Sequence, residues 1–265
     1  MSVLIVIPAR FASARYPGKP LVTLCGAGGQ AQSLIQRSWR AAMDVKGVDR
    51  VVVATDDARI ADHVAGLGAE VIMTPTSCQN GTERCAEVAK LLPYYDLVVN
   101  LQGDAPLTPA WFVEDLIASL QANPKVDIAT PVLRCDGRML NALLQDRKEG
   151  RVGGTTAVFG PTGKGLYFSK EVIPFTTKIY DDQEPTPVFH HVGVYAYRTA
   201  ALQAYVNWPL GQLEALEGLE QLRFLENNLD LICVEVDAKG RLFWELNNPH
   251  DVHIIEAMMA KMEVN

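Results

Sequence analysis

Short apolar runs alternate with longer amphipathic segments along the first half of the chain. The apolar runs, which predict strands, are Val3–Ile7, Arg50–Ala54, Glu70–Met73 and Leu97–Leu101, and the longer segments, which predict helices, are Ala31–Met43, Ala58–Leu67, Thr82–Leu92 and Pro109–Gln121. Strands that alternate with helices in this way are typical of an α/β fold. We therefore expect a mainly parallel sheet flanked by helices.

The second half has a less regular pattern. It predicts strands at Asp127–Leu133, Gly165–Phe168, Val188–Tyr197 and Leu231–Val236, helices at Glu214–Glu226 and Pro249–Met262, and a loop over Phe175–Pro187. No repeat, low-complexity tract or convincing linker separates the two halves. We therefore predict one domain, 1–265, with a mixed sheet and a β-rich second half.

A short basic loop follows the first predicted strand. Pro8 ends that strand, and Arg10, Arg15 and Lys19 follow it, with Gly18 directly before the lysine. Open α/β sheets bind ligands at the carboxyl ends of their strands, and clustered cations with loop N–H groups hold phosphate oxygens. The loop therefore suits a polyphosphate, although its spacing alone fits a solvated loop with ordinary surface cations equally well.

Composition narrows the class of partner. Of the 265 residues, 48% are hydrophobic and 21% charged, as in ordinary globular proteins, and the formal charge of -7 disfavours general nucleic-acid binding. No apolar run reaches about 18 residues and no secretory signal is evident, so we predict no membrane association. The five cysteines lack C-x-x-C spacing, which argues against zinc and disulfides and favours free thiols in the cytoplasm.

A glycine-rich segment offers a second phosphate-binding hypothesis. Residues 26–31, GAGGQA, satisfy G-x-G-x-x-A and precede a predicted helix. A dinucleotide fingerprint needs a good preceding strand and an acidic residue about 20 positions later. Here the preceding Val22–Cys25 is short, and Asp44 and Asp49 flank the expected position without closing a second strand. We therefore predict a turn at Gly26–Gln30.

A carboxylate follows the buried run Leu97–Leu101, within the sequence N-L-Q-G-D-A-P. Asp104 comes at the strand end where ligands bind, and Mg²⁺ prefers one or two carboxylates together with phosphates and water. We predict Asp104 as a Mg²⁺ ligand. Taken alone, a turn or helix-cap aspartate is the better interpretation, because Pro106 and Pro109 follow closely.

Residues 7–21 follow the ordered pattern I-P-A-R-x-x-S-x-R-x-P-G-K-P-L. This pattern resembles the nucleotide-binding loop of the sugar cytidylyltransferases, and most closely that of the 3-deoxy-manno-octulosonate (Kdo) cytidylyltransferase family, which makes CMP-Kdo. The resemblance implies that the nucleotide is bound by Pro8, Ala9, Arg10, Arg15 and Lys19. It also implies that Arg10, Lys19 and Asp104 are catalytic.

Further motifs match the same family in order. N-G-T-E-R at 80–84 is similar to the S-G-T-x-R that lies against the cytosine, and the sequences H-x-G-x-Y-x-Y-R from 191 and L-E-Q-L-R at 219–223 are similar to motifs that contact the sugar. The implied nucleotide ligands are Gly81, Thr82, Arg84 and Gln102, and the implied sugar ligands are Gln102, His191, Tyr195, Glu220 and Gln221. Without the resemblance, a capped helix, a hydrogen-bonded strand histidine and a surface charge run explain these stretches.

Two positions depart from the family pattern. Where the family has V-D-T-P-E-D, this chain has L-N-N-P-H-D, so Asn247 replaces the aspartate that is the second metal ligand. We predict that Asn247 still binds the metal, but more weakly because an amide oxygen brings no charge. Thr155 or Thr156 replaces the lysine of the family's V-K-x-V, which bears on the identity of the sugar acid more than on the reaction.

The resemblance implies a Rossmann-like nucleotide-diphospho-sugar transferase fold and Mg²⁺-dependent transfer of CMP from CTP to an eight-carbon sugar acid, for lipopolysaccharide or capsule assembly. Kdo is the expected acid, with an amino-Kdo or another ulosonic acid as the alternative. A homodimer is implied as well. Two other classes stay open. A glycosyltransferase should show a D-x-D motif, for which Asp56-Asp57 is a poor substitute, and a non-catalytic binding homologue would suit Asn247 and the missing lysine.

Overall fold

The chain folds into two compact units. The computed structural model describes residues 1–13, 16–241, 244, 246 and 248–263. The first unit comprises Met1–Glu114 with Ala238–Asn265, and the second comprises Asp115–Asp237. The single domain over 1–265 stays a prediction. Among the described residues, no helix combines the length and the apolar character needed to cross a membrane.

Strands and helices alternate through most of the chain, which confirms the predicted α/β fold class. In chain order they are β1 (Val3–Ala9), β2 (Thr23–Cys25), β3 (Ala31–Ser33), α1 (Leu34–Met43), β4 (Arg50–Thr55), α2 (Ala58–Gly66), β5 (Glu70–Met73), α3 (Gly81–Leu91), β6 (Leu97–Leu101), α4 (Ala110–Ala122), β7 (Ile128–Asp136), α5 (Gly137–Lys148), β8 (Thr155–Phe159), β9 (Gly165–Ser169), β10 (Pro185–His191), β11 (Val194–Arg198), α6 (Thr199–Tyr205), α7 (Gln212–Glu217), α8 (Leu222–Glu226), β12 (Leu231–Glu235) and α9 (Asp251–Lys261).

A fully parallel set of strands forms the centre of the first unit. Their order is β5-β4-β1-β6, and Val6 of β1 pairs with Val52 of β4 on one side and with Asn100 of β6 on the other. Residues 3–7 of β1 and 97–99 of β6 are completely buried, as expected for parallel strands covered on both faces. Because β1 and β6 are parallel neighbours, the loops that follow them leave the same edge of the sheet.

Strand β7 is central to the second unit. It pairs antiparallel with β10 and β11 and parallel with β12, while β8 pairs antiparallel with β10 and β9. This arrangement confirms the predicted β-rich second half. In the same unit, the fully buried ring of Phe224 packs against the rings of Tyr197 and Tyr205. The centroid of the Phe224 ring lies 5.6 Å from that of Tyr197 and 4.7 Å from that of Tyr205.

The predicted helix Ala31–Met43 is wrong at its start, where the first three residues form β3 and pair antiparallel with β2. The helix α1 begins only at Leu34, because Ser33 Oγ accepts the backbone N–H of Gln36 at 3.2 Å and caps it. The segment Gly26–Gln30 closes the β2–β3 hairpin, which confirms the predicted turn. It joins two antiparallel strands rather than a strand and a helix, so it lacks the context of a dinucleotide fingerprint.

Two elements of the second half that were predicted as continuous are each divided into two in the structure. The predicted strand Val188–Tyr197 consists of β10 and β11, separated at 192–193, and the predicted loop Phe175–Pro187 overlaps the start of β10. The predicted helix Glu214–Glu226 consists of α7 and α8, with Gly218 after α7 at φ 62°, a left-handed conformation that glycine adopts without strain. The sequence patterns also missed α5, which is rich in polar residues, and the short elements β8 and α6.

Candidate functional site

The loops after β1 and β6 meet in an ion pair. Lys19 Nζ donates to Asp104 Oδ2 at 2.5 Å, and the two side chains are only 14% and 24% exposed. The pair lies at the carboxyl edge of the parallel strands, which is the edge where open α/β sheets bind ligands. The structure therefore brings together the residues that the sequence predicts as a phosphate-binding cation and a metal ligand.

Two glycines allow these loops to approach each other. Gly18 adopts φ 72°, and a Cβ there would lie 3.0 Å from the ring of Phe11. A Cβ on Gly103 would lie 2.9 Å from the carbonyl oxygen of Pro8, which is near the end of β1. Because larger side chains at either position would displace the loops, the glycines fix how the two loops meet.

A third segment contributes backbone groups to the same ion pair. The N–H of Leu246 donates to the carbonyl oxygen of Asp104 at 2.9 Å, and the carbonyl oxygen of Leu246 accepts from Lys19 Nζ at 3.1 Å. Leu246 directly precedes Asn247, the predicted second metal ligand. Asn247 lies outside the described residues, as does Arg15, so their roles stay predictions.

The other predicted nucleotide ligands of the first loop lie where β1 ends. The prediction that Pro8 ends the strand is wrong, because Pro8 and Ala9 still pair with β4 and are the last two residues of β1. The exposed Arg10 follows them. Arg10 Nη1 makes a long contact of 3.5 Å with the carbonyl oxygen of Gln79, just before α3. An exposed guanidinium beside a loop of this kind has donors to offer to phosphate oxygens.

Two side-chain amides lie beside the first residue of α3, those of Asn100 and Gln102. A Cβ on Gly81 would lie 3.0 Å from Gln102 Nε2 and 3.1 Å from Asn100 Nδ2. Asn100 is completely buried, and neither Oδ1 nor Nδ2 has a hydrogen-bond partner in the described part of the chain. Buried amides ordinarily have partners, so a polar ligand is expected here. Sequence reasoning assigned no separate role to Asn100, although a polar residue inside the apolar run Leu97–Leu101 was a usable signal.

Thr82 and Arg84 are buried in α3. The Arg84 guanidinium donates to Thr74 Oγ1 and pairs with Asp56 Oδ2 at 3.1 Å, which ties the helix to the residues that follow β4 and β5. Asn80, which stands where the family has Ser, caps the helix by accepting a backbone N–H at 2.8 Å. Arg84 thus has a structural role, and its predicted contact with the nucleotide stays a prediction.

The predicted sugar ligands of the second unit are connected to one another. Tyr195 OH donates to Gln221 Oε1 at 3.0 Å, and the ring centroids of His191 and Tyr195 lie 5.5 Å apart. His191 Nε2 also lies 2.9 Å from Thr130 Oγ1. Gln221 Nε2 is buried without a hydrogen-bond partner among the described residues, so it can donate to a carboxylate or hydroxyl of a ligand. Glu220 directly precedes Gln221.

Burial keeps His191 neutral. Desolvation, with a smaller contribution from His190, lowers the pKa of His191 to about 3, and desolvation lowers the pKa of His190 to about 4. At neutral pH His191 therefore acts as an uncharged hydrogen-bonding group. Thr155 is opposite His191 in the antiparallel pairing of β8 with β10. The family has a lysine near the position of Thr155.

The described part of the chain contains no cluster of metal-binding side chains. No group of three or more His, Cys, Asp or Glu residues there could hold a metal ion. All five cysteines are free, as predicted. Asp104 Oδ1 has no hydrogen-bond partner among the described residues, and a single such carboxylate suits Mg²⁺, which is commonly bound by one or two carboxylates plus substrate phosphates.

Comparison with known proteins identifies the family. The family described as cytidylyltransferase matches residues 4–232. A 3-deoxy-manno-octulosonate cytidylyltransferase of Maricaulis maris is 43% identical over 98% of both chains, and one of Zea mays is 39% identical over 98% of this chain and 81% of the relative. This chain belongs to the 3-deoxy-manno-octulosonate cytidylyltransferase family.

A solved structure of the same kind supports the assignment. A CMP:2-keto-3-deoxy-manno-octonic acid synthetase complexed with CTP matches with a TM-score of 0.83 and 31% identity, covering 99% of this chain and 100% of that chain. The comparisons confirm the predicted family and the predicted nucleotidyltransferase fold. The individual ligand roles of the cytidylyltransferase's residues are not tested by them and stay predictions.

Proposed function

We propose that this cytidylyltransferase transfers CMP from CTP to the anomeric C2 hydroxyl of 3-deoxy-D-manno-octulosonate and releases pyrophosphate. The names of its relatives and the CTP in the matched structure support this proposal. Within the chain, the observation that carries it is the contact between Lys19 and Asp104 at the ligand-binding edge of the parallel strands. The product would serve lipopolysaccharide or capsule assembly.

The cations of the first loop would act on the triphosphate. The sugar hydroxyl forms a bond to the α-phosphorus while the bond to pyrophosphate breaks, so the reaction needs alignment and charge stabilisation rather than a covalent nucleophile. Arg10, Arg15 and Lys19 would hold the phosphate oxygens and stabilise the charge that develops on the leaving group.

Two sets of amides would recognise the substrates. Gly81 leaves room for the cytosine next to Asn100 and Gln102, and the unpartnered Asn100 side chain offers both a donor and an acceptor. In the second unit, Gln221 Nε2 would donate to the sugar acid, with Tyr195 holding Gln221 in place. His191 and Glu220 would hydrogen-bond with sugar hydroxyls.

We propose Mg²⁺ as the cofactor, with Asp104 and Asn247 as its protein ligands. Asp104 fits this role because Lys19 occupies only one of its carboxylate oxygens. When bound, the ion would act as a Lewis acid at the α-phosphate and lower the pKa of the attacking hydroxyl. Lys19, which bonds to Asp104, would then turn towards the phosphates.

We propose that the enzyme works as a homodimer in the cytoplasm. Phe175 and Ile179, which precede β10, are 88% and 92% exposed, and such apolar side chains favour burial against a partner. Five free thiols suit a reducing compartment. Light scattering of the purified protein should give twice the mass of the chain, and a monomer mass would contradict the dimer.

Pyrophosphate release with CTP, Mg²⁺ and a panel of sugar acids tests the function. We expect release with Kdo and none without a sugar acid. Release with an amino-Kdo or sialic acid alone would retain the cytidylyltransferase chemistry and reject Kdo as the substrate. CTP binding without release for any acid would favour a non-catalytic homologue, and hydrolysis of a nucleotide sugar would favour a glycosyltransferase.

A further inference from the structure

A pocket in the first unit contains a buried arginine that forms no ion pair with the described residues. The pocket has a volume of about 200 Å³, and residues of α1, α4 and α9 contribute to its walls. Its polar lining includes Gln32, Arg37, Arg40, Asp44 and Arg241. None of these residues belongs to the predicted nucleotide, sugar or metal ligands.

Arg37 is unusual in this pocket because its charged side chain is buried. It is 5% exposed, and its Nη2 donates to the carbonyl oxygens of Leu24 and Gln30 at 2.8 and 3.2 Å. Its Nε has no hydrogen-bond partner in the described part of the chain. No carboxylate oxygen of the described residues lies within 4 Å of Arg37, and Glu256 attracts its charge only from a greater distance. Desolvation is the main reason that its pKa is lowered. Buried charges in proteins are ordinarily paired, so this guanidinium indicates a missing anion.

Further positive charge surrounds the same pocket. Arg40 and Arg241 are exposed, and neither forms an ion pair with a described residue. The Arg241 guanidinium carbon lies 5.3 Å from the centre of the Trp111 ring, and Lys239 Nζ lies 4.7 Å from it. Trp111 is in the first turn of α4, whose positive dipole end faces anions favourably. Asp44 is the acidic residue of the lining.

Two acceptors complement these donors. Gln32 is 5% exposed, and its Oε1 has no hydrogen-bond partner among the described residues. An anion alone would leave the buried Gln32 Oε1 unsatisfied, whereas a ligand hydroxyl would donate to it. The exposed Asp44 carboxylate can accept from a second hydroxyl in place of water.

We propose that this pocket binds a small hydroxylated phosphate monoester. Its phosphate binds to the arginines of the pocket and its hydroxyls donate to Gln32 and Asp44. A phosphate matches this set because a planar guanidinium pairs with its oxygens through two parallel hydrogen bonds. The site is separate from the catalytic proposal, which uses none of these side chains.

Calorimetric titration of the whole protein with glucose 6-phosphate, in the presence of saturating CTP, tests this site. We expect saturable binding that is tighter than that of inorganic phosphate, and no binding of glucose. The double variant Arg40→Ala/Arg241→Ala should bind glucose 6-phosphate at least about tenfold more weakly, because charge-assisted hydrogen bonds are lost. Lys90→Ala, which removes an exposed cation of α3 in the same unit, should bind like the wild type.

Three other results of these titrations would overturn the proposal. Binding that disappears when CTP is added places the probe in the nucleotide site, and binding that the double variant retains places it elsewhere. Equal affinity for inorganic phosphate and glucose 6-phosphate would reject the hydroxyl contacts of Gln32 and Asp44. Because Arg40 and Arg241 are exposed, the double variant should fold, and unchanged CTP binding would verify this.

Discussion

Lys19 Nζ and Asp104 Oδ2 are 2.5 Å apart although the two residues are 85 positions apart in the sequence. Leu246 bonds to both partners through its backbone, so three chain segments meet at one ion pair. The pair therefore links the loops after β1 and β6 and also presents the charges that the proposed reaction needs.

Replacing the lysine should reduce turnover. Lys19→Ala removes a cation that would stabilise the leaving pyrophosphate, and the loss of one such contact typically lowers kcat about 100-fold or more. Steady-state pyrophosphate release measures the effect. Lys46→Ala, which removes an exposed lysine of the same unit, serves as the control and should behave like the wild type. A nearly normal kcat for Lys19→Ala would remove Lys19 from the mechanism.

Replacing the carboxylate should abolish the response to Mg²⁺. Asp104→Asn keeps the shape of the side chain but removes the charge that attracts a hard cation. We expect CTP binding without Mg²⁺ to remain and the additional affinity with Mg²⁺ to disappear. Calorimetry with and without the ion measures this, with Asp62→Asn on the exposed face of α2 as the control. A wild-type response to Mg²⁺ in Asp104→Asn would reject the ligand assignment.

A methyl group at the start of α3 should weaken CTP binding. Gly81→Ala places a Cβ 3.0 Å from Gln102 Nε2 and 3.1 Å from Asn100 Nδ2, where these amides must shift. KM for CTP should rise about tenfold, while the melting temperature changes little. Gly66→Ala is the matched control, because a Cβ there has no neighbour within 4 Å. An unchanged KM in Gly81→Ala would argue against cytosine binding at this position.

Removing one hydroxyl in the second unit should affect the sugar acid selectively. Tyr195→Phe releases Gln221 from its 3.0 Å hydrogen bond, so the amide no longer has a fixed orientation. We expect KM for Kdo to rise about tenfold and KM for CTP to stay constant. Tyr94→Phe alters a tyrosine that is 80% exposed and should change neither constant. Equal changes in both constants in Tyr195→Phe would indicate a general structural effect.

Acid should destabilise the protein partly through His191. Its pKa is about 3 when folded and about 6.5 when unfolded, so between these values only the unfolded chain binds the proton. The resulting decrease in the free energy of unfolding is about 1.4 kcal/mol per pH unit in that window. Between about pH 7 and about pH 5, His191→Asn should lose about 2 kcal/mol less than the wild type in denaturant titrations. Equal pH dependence would contradict the burial of a neutral ring.

Local signals in the sequence were sufficient to predict the strand ends that carry the site. The apolar runs Val3–Ile7 and Leu97–Leu101 and the polar residues after them are contiguous, and the structure places both at one edge. The breaks at 192–193 and Gly218 were missed because they depend on partners distant in the chain or on a single backbone conformation. Thr130 Oγ1, for example, donates to the carbonyl oxygen of Val194 at 2.8 Å beside the first break.

The burial of Arg37 without an ion pair to a described residue could not be predicted from the sequence, for a related reason. Arg37 lies in a segment with helical periodicity, where a cation normally faces solvent. Only the packing of α1 shows that Arg37 is 5% exposed. Likewise, the sequence indicates that Asn100 is polar within a buried strand, but its unpartnered amide and its distance from Gly81 come from the fold.

The joining of CMP to Kdo can be observed directly by phosphorus NMR of the purified protein with CTP, Kdo and Mg²⁺. We expect the CTP signals to be replaced by those of a phosphodiester and pyrophosphate in equal amounts, and we expect Lys19→Ala to slow this conversion strongly. Persistence of CTP, or its conversion to CMP or CDP without a phosphodiester, would show that the chain does not catalyse this transfer.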